Sequence, residues 1–320
     1  MRSVNGLVIL LSLTTAVFAY TVAIRAPWFG QLTDCSHEWC TATSLIWAQN
    51  WYREGALQSG FLLLENPASP EFTTLDSRSP YVSYPPGSIL PLHVLSLLRG
   101  REPDLPLIMG VSLAGHWLVA ASLAAAVYWL LLKCGLPMWN ALLGAVPAPL
   151  IELLSPSPLY CHQNFYAMDS LAVVLFAICL ALETARWTFP RWSTLADALL
   201  WVMLLLGYLT DWLFALVGPT LLVCRLVLEW RDRTNWRQRM LGTIVYWSSA
   251  MLAAGLFIGQ LTILGRWHSL YDRFLERTGL TTARNSYGFA EFLYKFFWEE
   301  YVPGGYGAGT AWLLLAAISA

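Results

Sequence analysis

Residues 106–132 read PLIMGVSLAGHWLVAASLAAAVYWLLL. The stretch contains no Asp, Glu, Lys or Arg, and it exceeds the roughly 20 residues that a helix needs to cross a bilayer. The whole chain has a similar character, because 57% of its 320 residues are hydrophobic and 12% are charged, against roughly 25% charged in soluble proteins. Its 17 tryptophans and 14 tyrosines suit membrane interfaces. The sequence therefore indicates a polytopic membrane protein, and a net charge of −1 gives no argument for nucleic-acid binding.

Apolar segments of the same kind recur along the rest of the chain. They make eight candidate spans, at about 5–24, 106–132, 138–154, 170–185, 195–209, 212–228, 241–265 and 309–320. The expected fold is all-α, a bundle of about eight transmembrane helices in a single integral membrane domain, 1–320. The last segment stops at Ala320 in mid-helix, so we also expect an incomplete span and a chain truncated at its C-terminus. Residues 5–24 are interpreted as a retained helix, with a signal peptide cleaved after Ala19 as the alternative.

The basic residues predict which segments lie on the same side. The loop before the seventh span reads EWRDRTNWRQR (residues 229–239) and contains four arginines. Short basic loops stay on the cytoplasmic side. Alternation of the spans then leaves two long loops on the outer side, 25–105 and 266–308, and the sequence predicts interfacial helices in both.

The predicted outer side collects ionisable residues. They are Asp34, His37, Glu38, Glu54, Glu65, Asp76, His162, Asp169 and Asp211. Acids at the ends of spans, beside a long outer loop, indicate a site at the membrane–water boundary. A transporter is expected to have ionisable groups near mid-span, between internal repeats. The sequence shows no such repeat and few charges at those positions.

The stretch after the first span, TDCSHEWCTATSLIWAQNWYREGAL (residues 33–57), predicts a helix that ends at Gly55. Asp34 and Glu38 stand near its start, where helix capping is the alternative to a catalytic role. Cys35, His37 and Cys40 are zinc-type ligands, but this spacing alone is a weak metal signal. A disulfide among Cys35, Cys40 and Cys161 is also compatible with an outer location, with the pairing open.

Residues 81–98 read YVSYPPGSILPLHVLSLL, an apolar run too short to cross a bilayer. The residue before each proline is pushed towards extended structure, so Tyr84-Pro85-Pro86 is expected to be a rigid lead-in. Gly87 then allows a turn, and Ser88 caps a short helix that lies along the membrane surface.

These motifs, with YCHQNFYAMDSLAVVLF (residues 160–176) and GYLTDWLFALVGP (residues 207–219), resemble those of the GT-C glycosyltransferases. More specifically they look like the bacterial, glycosyltransferase family 39-like branch related to protein O-mannosyltransferases and the lipid A aminoarabinose transferase. Family members have an Asp-Glu pair at the start of the first outer loop, and this chain has His37-Glu38 there.

The resemblance implies roles for individual residues. Glu38 is the best match for the catalytic acid, Asp34 is the runner-up, and Asp169 resembles the second acid, with helix capping as its alternative. His162 could belong to the site, but an interfacial hydrogen-bond donor is the favoured interpretation. His37 and Tyr84 are expected at the substrate, with Tyr84 lining the donor groove.

Donor binding follows from the same resemblance. Asp211 occupies the place of a family lysine that would suit the donor phosphate, and it is expected at the substrate. Its charge has the opposite sign, so phosphate contacts are expected from the second outer loop, where a solvated basic face is the alternative. The candidates there are Arg266, Arg273, Arg277, Arg284 and Lys295. Residues 281–301 look amphipathic and aromatic, and they guide the lipid donor or simply anchor the loop.

The implied function is transfer of a sugar from a polyprenyl-phosphate donor to a lipid, polysaccharide or protein acceptor. The implied location is the bacterial inner (plasma) membrane, with the site on its periplasmic or extracellular face, in contact with membrane lipid and without nucleic acid. No cofactor is certain, and a divalent metal is not supported because Ser83 stands where one branch has an acidic ligand. The alternatives are a transporter or flippase of lipid-linked sugar and a non-catalytic membrane scaffold.

Overall fold

A computed structural model describes residues 2–32, 38–75, 77–231 and 236–277, and almost all of its regular structure is helical. A two-stranded antiparallel sheet pairs β1 (Leu63–Leu64) with β2 (Pro80–Tyr81). The helices of the described residues are α1 (Arg2–Arg25), α2 (Trp39–Glu54), α3 (Leu90–Arg99), α4 (Leu105–Lys133), α5 (Met138–Ala145), α6 (Pro147–Leu154), α7 (Pro156–Asn164), α8 (Met168–Thr188), α9 (Ser193–Tyr208), α10 (Phe214–Arg231), α11 (Trp236–Ile263) and α12 (Trp267–Arg277).

Within the described residues, four helical stretches are long and apolar enough to cross a membrane, and a fifth is added if the bent pair Met138–Leu154 and Pro156–Asn164, 56° apart, makes one span. The four are Asn5–Trp28, Leu105–Lys133, Met168–Thr188 and Arg239–Ile263. The helical class is thus confirmed, and these stretches are compatible with an integral membrane protein.

The expected total of eight spans is not confirmed. The fifth candidate, 195–209, is α9, whose 16 residues reach about 24 Å, short of a hydrocarbon core of about 30 Å. The sixth is α10, which contains Arg225, Glu229 and Arg231. The last candidate, 309–320, lies outside the described residues, and so does the predicted truncation.

The longest helix, α4, is the centre of the bundle. It packs against α1, α5, α6, α7 and α8, while α9 packs between α8 and α11. Small residues make the close approach possible, because Ala120 and Ala124 on α4 are fully buried. At Gly6 on α1, a Cβ would lie only 2.2 Å from the hydroxyl of Tyr128 on α4. The close packing of α1 on α4 therefore requires glycine, which has no side chain, at position 6.

The long segment between α1 and α4 lies at one end of the bundle, which we call the loop end. The N–H of Gly87 donates to the carbonyl of Leu209 at 2.7 Å, and Trp212 donates from Nε1 to the carbonyl of Ser83 at 2.6 Å. At the end of α11, Gln260 donates to the carbonyl of Gly60 at 2.8 Å. The first long loop and the ends of α9 and α11 therefore meet on one side, as the alternation of spans predicts.

The predicted helix after the first span is confirmed as α2, and it organises this loop. Gly55 ends it with φ +87°, a backbone conformation that favours glycine. Asn50 and Trp51, both buried, donate to the carbonyls of Leu64 and Leu62 at 2.7 Å each. These polar side chains can be buried without a large free-energy cost, because each donates a hydrogen bond to a backbone carbonyl.

The short helix predicted in residues 88–98 is confirmed as α3, preceded by a 3₁₀ turn at Pro86–Ile89. The predicted capping by Ser88 is wrong, because Ile89 takes the N-cap position and no side chain caps the helix. The predicted turn at Gly87 is confirmed, since Gly87 lies within this 3₁₀ turn, and a close approach to α9 gives a further reason for glycine there. A Cβ there would lie 2.3 Å from the carbonyl oxygen of Leu209. That α3 lies along a membrane surface stays a prediction.

The second long loop begins with α12, whose apolar residues recur at helical spacing and whose Leu270 packs against the buried cluster that includes Leu261. An amphipathic helix of this kind suits an interface. Residues 278–320, which include the 281–301 segment, Arg284 and Lys295, lie outside the described residues.

Candidate functional site

The start of α2 is anchored to the segment that links α7 to α8. Thr41 donates from its hydroxyl to the carbonyl of Asn164 at 2.7 Å and accepts from the N–H of Tyr166 at 2.8 Å. Ser44, one turn further, donates to the carbonyl of Tyr166 at 3.2 Å. These buried hydroxyls satisfy backbone groups that no helix pairs. We call the place where α2, α7 and the start of α8 meet the junction.

Glu38 lies at the junction and is almost fully buried, with 3% of its surface exposed. Its Oε1 accepts a hydrogen bond from the hydroxyl of Tyr160 on α7 at 3.3 Å. Glu38 occupies the N-cap position of α2, but its side chain does not cap the helix. The capping alternative for Glu38 is therefore wrong. A buried carboxylate next to a phenol is instead a group with acid–base capacity.

Asp169 lies in the first turn of α8 and is exposed. It is not the N-cap, since Ala167 takes that position and Ser170 accepts from the Ala167 N–H at 3.0 Å. The capping alternative for Asp169 is therefore also wrong. Burial raises the pKa of the Cys40 thiol to about 11, and the negative charge of Asp169 contributes to this rise. Asp169 thus lies near the start of α2, so the structure brings both predicted acids to the junction.

Two other residues predicted for the site, Asp34 and His37, lie outside the described residues, as does Cys35. The runner-up base and the disulfide pairing therefore stay predictions. Among the residues with described positions, no group of three or more His, Cys, Asp or Glu side chains is arranged to hold a metal ion.

His162 differs from the expectation of an interfacial donor, because it is 6% exposed and points into the bundle. Its Nε2 lies 3.2 Å from Oε1 of Glu152, and its ring stacks on that of His116 with centroids 4.6 Å apart. The Nε2 of His116 lies 3.1 Å from the backbone carbonyl of Glu152. The sequence reasoning missed Glu152 and His116. Each is a lone ionisable residue inside an apolar helix, which is the signal that could have found them.

Arg25, at the end of α1, was also missed. It is 6% exposed and holds α1 against α7. Its Nη1 donates to the carbonyl of Leu159 at 3.2 Å, while Nε and Nη2 donate to the carbonyl and hydroxyl of Thr21 at 3.1 and 3.0 Å. A cleft of about 330 Å³ opens beside it, lined by Val22, Arg25, Ala26, Phe29, Leu113 and Gln163.

Tyr84 belongs to an aromatic stack at the loop end. Its ring lies 6.3 Å from that of Tyr81, which lies 5.1 Å from that of Trp47 on α2. The hydroxyl of Tyr166 donates to the carbonyl of Ser88 at 2.6 Å, which ties this proline-containing segment to the junction. Tyr84 is half-buried, so a role in lining a donor groove stays a prediction.

The last predicted substrate contacts are at the ends of α9 and α11. Asp211 is 3% exposed, and its Oδ1 accepts from the N–H of Leu213 at 2.7 Å, so it shapes the turn into α10. Arg266 is half-buried just after α11. Arg273 lies on α12, and its side chain is outside the described part of the structure.

A buried ionic network lies at the opposite end of the bundle, where the sequence indicated only cytoplasmic arginines. Its members are Glu183, Arg186, Asp197, Arg225, Glu229 and Tyr246. Nη1 of Arg225 lies 2.9 Å from Asp197 and 3.2 Å from Glu183, and its Nε lies 3.1 Å from Glu229. The network joins α8, α9, α10 and α11, and its charges are largely compensated.

Comparison with known proteins adds no relative: no family model, no curated protein and no solved structure matches this chain. The resemblance to GT-C glycosyltransferases therefore stays a prediction from the sequence motifs.

Proposed function

We propose that this protein is a membrane glycosyltransferase that moves a sugar from a polyprenyl-phosphate donor to an acceptor at the loop end. The observation that carries the proposal is the junction, where Glu38 is buried at the start of α2 and Asp169 is exposed in the first turn of α8. A carboxylate held away from water, with a solvent-facing acid at the same junction, is an arrangement suited to proton transfer and acceptor binding.

In the proposed reaction Glu38 acts as the base. It takes the proton of an acceptor hydroxyl while that oxygen attacks the anomeric carbon, and the bond from this carbon to the phosphate oxygen breaks, so that the configuration inverts. Asp169 orients the acceptor, and Asp34 is the alternative base. Arg266, Arg273 and Arg284 are the proposed cations for the polyprenyl phosphate that leaves. The proposed location is a bacterial inner membrane with the loop end on the periplasmic or extracellular face.

Sugar transfer from a lipid-linked donor tests this proposal in purified full-length protein. We expect Glu38→Gln to lower the rate about 10²–10⁴-fold, as is usual for loss of a general base, and Asp169→Asn to raise the acceptor KM. Glu65→Gln is the matched control, since Glu65 is an exposed acid of the same loop. Wild-type activity in both junction variants would refute the assignment.

A second candidate function is transport or flipping of a lipid-linked sugar. The observation in its favour is the group formed by half-buried Glu152 with buried His116 and His162, because the sequence predicts few ionisable groups inside the spans. Counterflow of labelled lipid across proteoliposomes, without any covalent transfer of sugar, would support this function over the first.

A further inference from the structure

The cleft beside Arg25 combines a cation with apolar walls. Val22, Ala26 and Phe29 come from α1 and the turn after it, and Leu113 comes from α4. Phe29, which lines the cleft, is 39% exposed, and its chain neighbour Trp28 is 52% exposed. Exposed aromatic residues at the end of an apolar helix are typical of the membrane interface. The cleft therefore opens where lipid head groups would lie.

The guanidinium of Arg25 has spare binding capacity in this cleft. Of its five N–H bonds, three donate to Thr21 and Leu159. Among the ion pairs of the described chain, none includes Arg25. A buried positive charge without a carboxylate is costly, so the cleft favours an anion.

Gln163 supplies a second, independent feature of the cleft. Its side chain is 3% exposed, and its Nε2 donates to the carbonyl of Arg25 at 3.5 Å. Its Oε1 is buried and has no hydrogen-bond partner in the described structure. An unpaired buried acceptor destabilises the fold unless a donor reaches it. The cleft thus presents an anion-binding group and a hydroxyl-binding group side by side.

We propose that this cleft binds a lipid whose phosphodiester head group carries hydroxyls, with the phosphate on Arg25 and a hydroxyl on Oε1 of Gln163. The acyl or prenyl chain leaves along Val22, Ala26 and Phe29 towards the bilayer. A phospholipid with a glycerol head group and a lipid-linked sugar share this chemistry. This lipid-binding proposal does not depend on sugar transfer, so a failure of the proposed reaction would leave it unaffected.

Native mass spectrometry of the full chain tests the site, with phosphatidylglycerol and phosphatidylcholine as probes. We expect the wild-type protein to retain phosphatidylglycerol at least tenfold more tightly, since phosphatidylcholine is zwitterionic and has no hydroxyl donor. Arg25→Gln should lower phosphatidylglycerol binding about tenfold or more, because it removes a charge-assisted hydrogen bond. Gln163→Leu should remove much of the preference between the two lipids. Arg191→Gln, a change at an exposed arginine far along the chain, is the charge-matched control and should bind as the wild type does.

A cleft-filling variant keeps the proposal testable if Arg25→Gln fails to fold. Val22→Trp leaves the hydrogen bonds of Arg25 in place and should still lower lipid retention about tenfold. Equal binding of the two lipids by the wild type, or unchanged binding in both Arg25→Gln and Val22→Trp, would overturn the site. Adding a polyprenyl-phosphate sugar then identifies the source: displacement of phosphatidylglycerol assigns the cleft to the donor, and its persistence assigns the cleft to bilayer lipid.

Discussion

Replacing Gly87 by alanine tests the contact that ties the first long loop to the turn between α9 and α10. The new Cβ would lie 2.3 Å from the carbonyl oxygen of Leu209 and 2.8 Å from the hydroxyl oxygen of Thr210. Ordinary contact begins near 3.4 Å, so the two segments must separate by about 1 Å. Both neighbours belong to a turn that its own backbone hydrogen bonds hold in place, so little of this overlap can be relieved by rotating a side chain.

The energetic cost has two parts. Overpacking of this size costs about 1–3 kcal/mol, and loss of the 2.7 Å hydrogen bond from Gly87 to Leu209 costs about 0.5–1.5 kcal/mol. We therefore expect Gly87→Ala to lower the free energy of unfolding by about 1.5–4.5 kcal/mol, the sum of the two parts. Reversible denaturant unfolding in mixed micelles, followed by tryptophan fluorescence, measures this change.

Gly110→Ala is the matched control, because Gly110 lies within α4 and a Cβ there meets nothing within 4 Å. Alanine in a helix is favoured over glycine by about 0.5–1 kcal/mol, so this variant should be slightly more stable than the wild type. Hydrogen exchange measures the hydrogen bond from residue 87 to Leu209 directly. The amide of residue 87 should be protected in the wild type and in Gly110→Ala, and it should exchange faster in Gly87→Ala. Equal stability of the two variants would refute the close approach of Gly87 to Leu209.

Two further predictions concern the ionic network and the junction. At Gly242 on α11 a Cβ would lie 2.4 Å from Nε of Arg225, whereas at Gly255 on the same helix it meets nothing within 4 Å. Thermal unfolding should therefore show Gly242→Ala about 2 kcal/mol or more less stable than Gly255→Ala, and equal melting of the two would contradict the buried position of Arg225. Because the charge of Asp169 raises the pKa of the Cys40 thiol, Asp169→Asn should lower that pKa and speed alkylation of Cys40 at pH 8–9. An unchanged alkylation rate would place Asp169 away from the start of α2.

The sequence predicts the helices of this protein well because long apolar segments leave few alternatives. The predicted spans at 5–24 and 106–132 became α1 and α4 with ends within a few residues. The sequence predicts less well which of these helices cross the membrane. The segment at 138–154 is followed by a 56° bend between Leu154 and Pro156, where α7 begins, and hydropathy alone does not register a bend of this kind.

The sequence motifs anticipated the position of some candidate site residues and not of others. Motif position pointed to Glu38 and Asp169, and both lie at the junction, although their predicted capping alternatives proved wrong. His116, Glu152 and Arg25 were not predicted as a group because they stand far apart in the sequence, and only the packing of α1, α4, α6 and α7 brings them close. Gly87 shows the same limit, since a reason for glycine there lies in the carbonyl of a residue far along the chain.

The ionic network among α8, α9, α10 and α11 has a consequence for how this chain is inserted into a membrane. A single arginine at the centre of an inserting helix costs up to about 2.5–3.5 kcal/mol, and Arg225 finds most of its partners on α8 and α9. We expect α10 to enter the bilayer poorly by itself and efficiently behind α8 and α9, so that biogenesis proceeds through a three-helix unit. A translocon insertion assay that compares α10 alone with the α8–α10 segment measures this difference, and equal insertion of the two would rule it out.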